Sequence, residues 1–248
     1  MGDAASDGVA PAGLVSVVVP ALDEAAGIGA TLASVARQSG PWEVVVAVGD
    51  SADGTGEAAR AALPEARVVR GERGRARQMN DGAREARGDV LLFLHADTAL
   101  PSGALDAVRG ALADPGVVAG CFRTAFELDR DGLGPVDRAV LRLWASRLWM
   151  RWHRFAFGDR ALFVRRGAFE AAGGFPDQPL FEDLDAVRAL RQYGRFAFLD
   201  AEVTTSARRF ERHGAVRQQV RNASLWLAWL AGADPARLKR YYSDRDRG

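Results

Sequence analysis

Apolar residues along the chain fall into two periods. Residues 14–19, 42–48 and 90–94 are near-unbroken apolar runs of strand length, the pattern of strands buried on both faces of a parallel sheet. Between the first two, Ile28, Leu32 and Val35 keep helical spacing, and that helix is expected to reach about Gln38. After the second, the turn-rich GDSADGT leads into a predicted helix from about Thr55 to Leu63. A short strand at 67–69 precedes GERGRARQMNDGAREARGD, a glycine- and arginine-rich loop that runs into another helix. Strands alternating with helices over short connections are βαβ units, so the first 100 residues predict a doubly wound, nucleotide-binding half.

Beyond Ser102 the rhythm changes. A helix to about Ala113 leads to a longer strand at 117–128, holding Phe122, Thr124 and Phe126. Residues 135–152 form a predicted amphipathic helix with Leu141, Trp144, Leu148 and Trp152 at helical spacing. A strand, a short helix and a glycine turn follow. FEDLDAVRALRQYG is then a helix with Gly194 at its C-terminal cap. Two more helices are expected, one carrying Trp226 and Trp229 and one opened by Pro235 and ending near Tyr242. The tryptophan stripes read as core packing, although a basic, apolar helix also suits a membrane surface. The fold class is α/β, a Rossmann-like mostly parallel sheet with helices on both faces and a helical C-terminal elaboration. Residues 1–13 are expected to be a flexible leader and 14–248 one domain, divided at about residue 100.

Composition narrows this further. With 248 residues, 48% hydrophobic and 26% charged, the chain can bury a large core. A net charge of +1 argues against a nucleic-acid partner. The single cysteine, Cys121, excludes an intramolecular disulfide framework and fits the cytoplasm. No apolar run approaches the length of a membrane span.

The central strand carries the chemistry. Side chains two apart on a strand point the same way, so a strand continuing through Asp97 would set His95 and Asp97 side by side at its C-terminal end, where open α/β sheets bind ligands. A carboxylate there suits magnesium or manganese, which share oxygen ligands with substrate phosphates. The alternative is an N-cap for the next helix. Glu24, Asp50 and Asp53 also fall after predicted strand ends. Glu24 as a first-turn helix carboxylate and Asp53 as an N-cap are the ordinary alternatives. Arg73, Arg75 and Arg77 enter a helix from a glycine-containing loop, a geometry that can meet phosphate. They could equally form a solvated face, as could Arg208, Arg209 and Arg212 with His213.

The ordered motifs SVVVPALDEAAGIGATLASV, EVVVAVGDSADGT, GRARQMNDGAREARGDVLLFLHADT, GDRALFVRRGAFEAAGGF and FEDLDAVRALRQYG resemble those of family 2 glycosyltransferases of the GT-A fold, over residues 15–193. With the later TSARRFERHG, the chain resembles the selenosugar synthase-like branch (rSAM/selenodomain-associated transferase 2) to about residue 242.

That resemblance implies an inverting, metal-dependent transferase using a UDP-sugar of GlcNAc or Glc type. The acceptor would be selenophosphate, giving a 1-seleno sugar for selenoneine-type selenium metabolism. Pro20, Ala21, Glu24, Asp50, Asp53, Gly74, Arg75, Gln78, Ala96 and Asp97 would bind the nucleotide sugar. Asp97 matches the last acid of the family's DxD and would ligate Mg2+ or Mn2+, with His213 as a second ligand and His95 in the place of the first acid. Asp183 matches the catalytic base, and Arg160, Glu182, Arg208 and Arg209 would face the acceptor. Two positions depart from the pattern: Val48 replaces the aspartate that usually contacts the base, and Arg160 replaces the glutamine of GDQ. The rival readings are a transferase for a lipid-phosphate, glycan or other hydroxyl acceptor, and a non-catalytic nucleotide-sugar binding protein.

Overall fold

The apolar runs at 15–21 and 90–93 become neighbouring strands because each is apolar on both faces. Val15, Val17 and Val19 pack into one core with Leu92, while Val18 packs into a second core with Leu91 and Phe93. Only a sheet interior covered on both sides accommodates such strands. The structure, a computed structural model, describes residues 13–129, 132–146 and 160–244. Its strands are β1 (Val15–Ala21), β2 (Trp42–Val48), β3 (Arg67–Arg70), β4 (Val90–Phe93), β5 (Thr98–Ala99), β6 (Val117–Phe126), β7 (Leu162–Arg165) and β8 (Arg195–Thr205). They form one sheet in the order β3-β2-β1-β4-β7-β6-β8-β5.

The first four strands in that order are parallel, as the βαβ pattern predicts. The second half is mixed: β7 is antiparallel to both β4 and β6, β8 runs parallel to β6, and β5 closes the edge antiparallel to β8. Helices cover both faces. Ile28–Ala36 and Ala104–Leu112 bury Ile28, Leu32, Leu105 and Val108 in the first core. Arg75–Glu85 and Glu182–Leu190 bury Ala76, Met79, Val187 and Leu190 in the second. Those last two helices therefore share one face of the sheet. The first presses close enough that a Cβ on Gly82 would lie 2.4 Å from Val18 Cγ1, which explains a glycine inside a helix. A smaller cluster of Leu133, Leu141, Ala207, Phe210 and Ala215 holds the C-terminal helices Pro135–Trp144, Arg208–His213 and Ala215–Leu230 together. Among the described residues no helix is long and apolar enough to cross a membrane.

Several expectations are corrected. β4 does not continue through Asp97. It stops at Phe93, the Leu94 N–H still donating to Val18 O (2.9 Å), and the chain then turns with Thr98 N–H bonded to His95 O (3.1 Å). Strand alternation therefore does not place His95 and Asp97. β1 runs through Pro20 to Ala21, and β6 ends at Phe126. The helix Glu182–Leu190 is capped by Arg191, short of Gly194. β8 has no counterpart in the apolar pattern. Leu148 and Trp152 lie outside the described residues, while Leu141 is buried as expected.

Candidate active site

The C-terminal ends of β1 and β2 are joined by side chains rather than by packing alone. Gln78 Nε2 donates to Ala21 O (2.7 Å) and to Ala47 O (3.0 Å) from a buried position, so both of its amide protons hold strand ends. Gly74, with φ 149°, lets the loop turn into the helix Arg75–Glu85 in a conformation that a side chain would disfavour. The loops after β1 and β2 are stitched in the same way. The Asp53 carboxylate accepts the Thr55 hydroxyl, the Ala25 N–H (2.9 Å) and the Thr55 N–H (3.0 Å). The Glu24 N–H donates to Thr55 Oγ1 (3.0 Å). The Thr55 hydroxyl first, then the Ala25 N–H, hold the Asp53 carboxyl below its usual range. Asp53 thus takes the local, loop-fixing role. Asp50 is exposed beside it, and Val48 is buried in the first core, out of reach of a ligand.

Glu24 and Asp97 meet through an arginine. Arg208 Nη2 lies 2.6 Å from Glu24 Oε2 and 3.8 Å from Asp97 Oδ2. The Ser206 N–H donates to Asp97 O (3.0 Å), which docks the start of that C-terminal segment on the turn after β4. Ala96 is buried there, and its carbonyl accepts the Thr31 hydroxyl (2.8 Å). Gly27 lies against the same group, an added Cβ falling 3.5 Å from Glu24 Oε2 and 3.9 Å from Arg208 Nη2.

A second charged group adjoins the first. Arg75 pairs with Glu182 Oε1 through Nε and approaches Asp183 Oδ2 at 3.8 Å. Glu182 is only 1% exposed, and its Oε2 has no hydrogen-bond partner. Asp183 is buried, its Oδ1 accepting the Leu184 N–H (2.8 Å) at the helix N-terminus. His95, two residues before Asp97, feels the charge of Arg75 in the second group. Desolvation first, then the positive fields of Arg75 and Arg209, lower its pKa to about 3, so the imidazole is neutral at neutral pH. Three non-glycine residues have left-handed backbones among the described ones: Asp23 (φ 53°), Ala161 (φ 48°) and Phe181 (φ 64°). They immediately precede or follow Glu24, Arg160 and Glu182. Such conformations persist where surrounding structure over-determines them, and they cluster at functional sites.

The structure thus brings together Glu24, His95, Asp97, Arg208, Arg209, Arg75, Glu182 and Asp183. Arg160 is buried at the entry to β7, with Gly158 and Asp159 outside the described residues. Arg77 turns to Asp177, its Nε and Nη2 bonded to that carboxylate at 2.8–3.0 Å, and its Nη1 to Glu72, on the half-exposed face that was the alternative to phosphate contact. The His213 backbone ends the helix Arg208–His213, but its side chain lies outside the described part.

Magnesium or manganese on a diphosphate needs one or two protein carboxylates, the phosphates supplying other oxygens. Asp97, with a third of its side chain exposed beside Glu24, offers such an oxygen. The nearby Arg208 guanidinium shows that the spot accepts positive charge. Among the described residues no three His, Cys, Asp or Glu side chains converge, so a cation here would depend on substrate oxygens. The residues fit that arrangement.

A mostly parallel sheet covered by helices on both faces is the architecture of the GT-A fold. The comparisons agree. Residues 16–174 match the family described as Glycosyl transferase family 2, and the chain belongs to that family. No curated protein matches it significantly in sequence. Among solved structures, S. aureus TarS 1–349 superposes with a TM-score of 0.61 at 18% identity, covering 82% of this chain and 63% of that one. TarS 1–349 in complex with UDP-GlcNAc gives 0.59 at 21%, covering 77% and 58%. The mannosyltransferase PcManGT from Pyrobaculum calidifontis, solved with GDP-Man and Mn2+, gives 0.56 at 25%, covering 82% and 61%. The chain spans less than two thirds of the length of these relatives.

Proposed function

We propose that this chain transfers a sugar from a UDP-sugar, with inversion, to a small anionic acceptor in the cytoplasm. The carrying observation is the pair of ionic groups at the strand ends, Glu24 and Asp97 with Arg208, and Glu182 and Asp183 with Arg75, beside a neutral His95. Relatives solved with UDP-GlcNAc and with GDP-Man and Mn2+ support a nucleotide-sugar donor and a divalent ion. Asp97 would hold that ion, which when bound supplies charge stabilisation to the departing diphosphate. Asp50, exposed where Val48 cannot reach, takes the uracil contact. The acceptor attacks the anomeric carbon as the bond to the β-phosphate oxygen breaks, and UDP leaves with the electron pair.

The acceptor we propose, from the branch resemblance, is selenophosphate: carbon–selenium bond formation gives a sugar Se-linked to phosphate, and water must then cleave the P–Se bond to leave the 1-seleno sugar and phosphate. The selenium of selenophosphate needs no proton removed before attack, but its charge must be held near the diphosphate. We assign that role to Arg160 and Arg209, the cations at the matching motif positions. A second reading has one observation in its favour. The buried, unpartnered Glu182 Oε2 suits an acceptor that donates a hydrogen bond, such as a sugar or lipid-borne hydroxyl, for which Asp183 would take the proton. Mass spectrometry of products from a panel of UDP-sugars with selenophosphate, thiophosphate or no added acceptor tests both. Seleno-sugar formation that Arg160→Ala and Arg209→Ala slow through the acceptor KM supports the first reading. Turnover with hydroxyl acceptors alone, lost on Asp183→Asn, refutes it. A chain that binds UDP and turns over no donor is a binding protein.

A further inference from the structure

The helix Ala215–Leu230 uses only one side to pack. Gln218 and Leu225 are buried on that side, whereas Val216, Val220, Leu227 and Leu230 are each at least half exposed. At about 100° per residue these four fall within roughly 80° of arc, and at about 1.5 Å per residue they span about 21 Å of helix. An apolar stripe of that length left in water is not scattered surface; it marks an interaction face. The neighbouring helix Pro135–Trp144, whose Asp137 Oδ1 accepts the Ala215 N–H (2.6 Å), adds exposed Val136 and Leu143.

The charge around the stripe identifies its partner. Exposed Arg217 flanks the four apolar positions, and Arg221 follows one turn on. Arg237, Lys239 and Arg240 are exposed on the next helix, and between residues 215 and 243 Asp234 is the single acid. The chain as a whole carries only +1, so this basic character is local. A nucleic acid would meet the charge and leave the apolar stripe wet. A second copy of the chain would set these cations against their own equivalents. An apolar stripe bordered by cations is the pattern of a helix lying in the interface of an anionic bilayer.

We propose that the Ala215–Leu230 face docks peripherally on an anionic membrane surface. The packed side of the same helix reaches the candidate active site, where the Trp229 ring lies against Phe181 (5.3 Å between centroids), the residue before Glu182 and Asp183. Docking would thus leave the candidate active site on the side of this helix away from the bilayer, about one helix diameter from it.

Flotation with phosphatidylcholine vesicles, with and without about a third phosphatidylglycerol, tests this directly. The full chain is expected to float with the anionic vesicles, to stay behind with neutral ones, and to release at high salt. Val220→Asp with Leu227→Asp, and separately Arg217→Glu with Arg237→Glu, should each lower the bound fraction about tenfold or more, with thermal unfolding unchanged. No flotation of the parent chain, or flotation that both variants keep, overturns the proposal. So does a dimer by light scattering that the aspartate pair converts to monomer without any vesicle binding, since the face would then be covered by a second copy. None of these readouts requires turnover, so they stand apart from the test of the transferase reading.

Discussion

Replacing Arg75 by alanine removes the cation that joins two distant parts of the chain. Arg75 opens the helix after β3, and its partners Glu182 and Asp183 open a helix about a hundred residues later. Breaking a buried ion pair typically costs about 3–5 kcal/mol, because the remaining charge is left unpaired in low dielectric. An exposed pair is worth about 0–1 kcal/mol. This pair is unequal: Glu182 is 1% exposed but 42% of the Arg75 side chain is reached by solvent. Water can partly replace the guanidinium, so the expected loss is intermediate, about 2 kcal/mol. Urea unfolding at neutral pH should show a lower midpoint with unchanged slope. In a Glu182→Gln background, where only the longer Asp183 contact remains, Arg75→Ala should cost less. The cycle should therefore give a coupling of at least about 1 kcal/mol. Arg75→Lys should recover part of the loss, since it restores charge without the planar fork. A single variant within about 0.5 kcal/mol of the parent, or additive effects in the cycle, would refute this account.

Three further outcomes are expected. Gly82→Ala should destabilise by about 1–3 kcal/mol in the same assay, because its Cβ would fall 2.4 Å from Val18 Cγ1 and force helix and sheet apart. Chelation should abolish transfer and manganese or magnesium restore it, while Asp97→Ala should cost at least ~100-fold in kcat; full activity of that variant in chelator sinks the assignment. Acid should remove the stability held by Glu43. Burial pushes that carboxyl up, but hydrogen bonds from Ser16 and from Arg87, with the Arg87 charge, hold it below its ordinary value of 4.5. Its contribution is full above about that pH and is lost as pH falls through the lower folded value. Glu43→Gln should therefore unfold with less pH dependence in acid, and an unchanged acid profile would count against the bond network.

Local pattern by itself determined half of this protein. Apolar runs on both faces specify β1, β2 and β4 wherever the chain places them, and the βαβ rhythm then orders them as parallel neighbours. Val90–Phe93 needed no tertiary information. β8 did: Asp200 and Glu202 interrupt it, and it is a strand because β6 and β5 offer hydrogen-bonding partners on either side. Where the central strand ends was also decided by its neighbours, since the turn at 96–97 is fixed by Thr31 and Ser206, residues far apart in sequence.

The acids at the strand ends could be found in the sequence, but their division of labour could not. Asp50 and Asp53 look alike in GDSADGT, yet Asp53 is engaged by Ala25 and Thr55 because the loop after β1 crosses there. Arg75 and Arg77 sit two apart in one motif, and only the fold sends the first to Glu182 and the second to Asp177. Arg208 reaches Glu24 across 184 residues of chain. Composition and spacing determine which chemistry a chain can assemble. Which charges meet is set by the packing of helices on a shared face of the sheet, because ion pairs act over a few ångströms of space and are indifferent to distance along the chain.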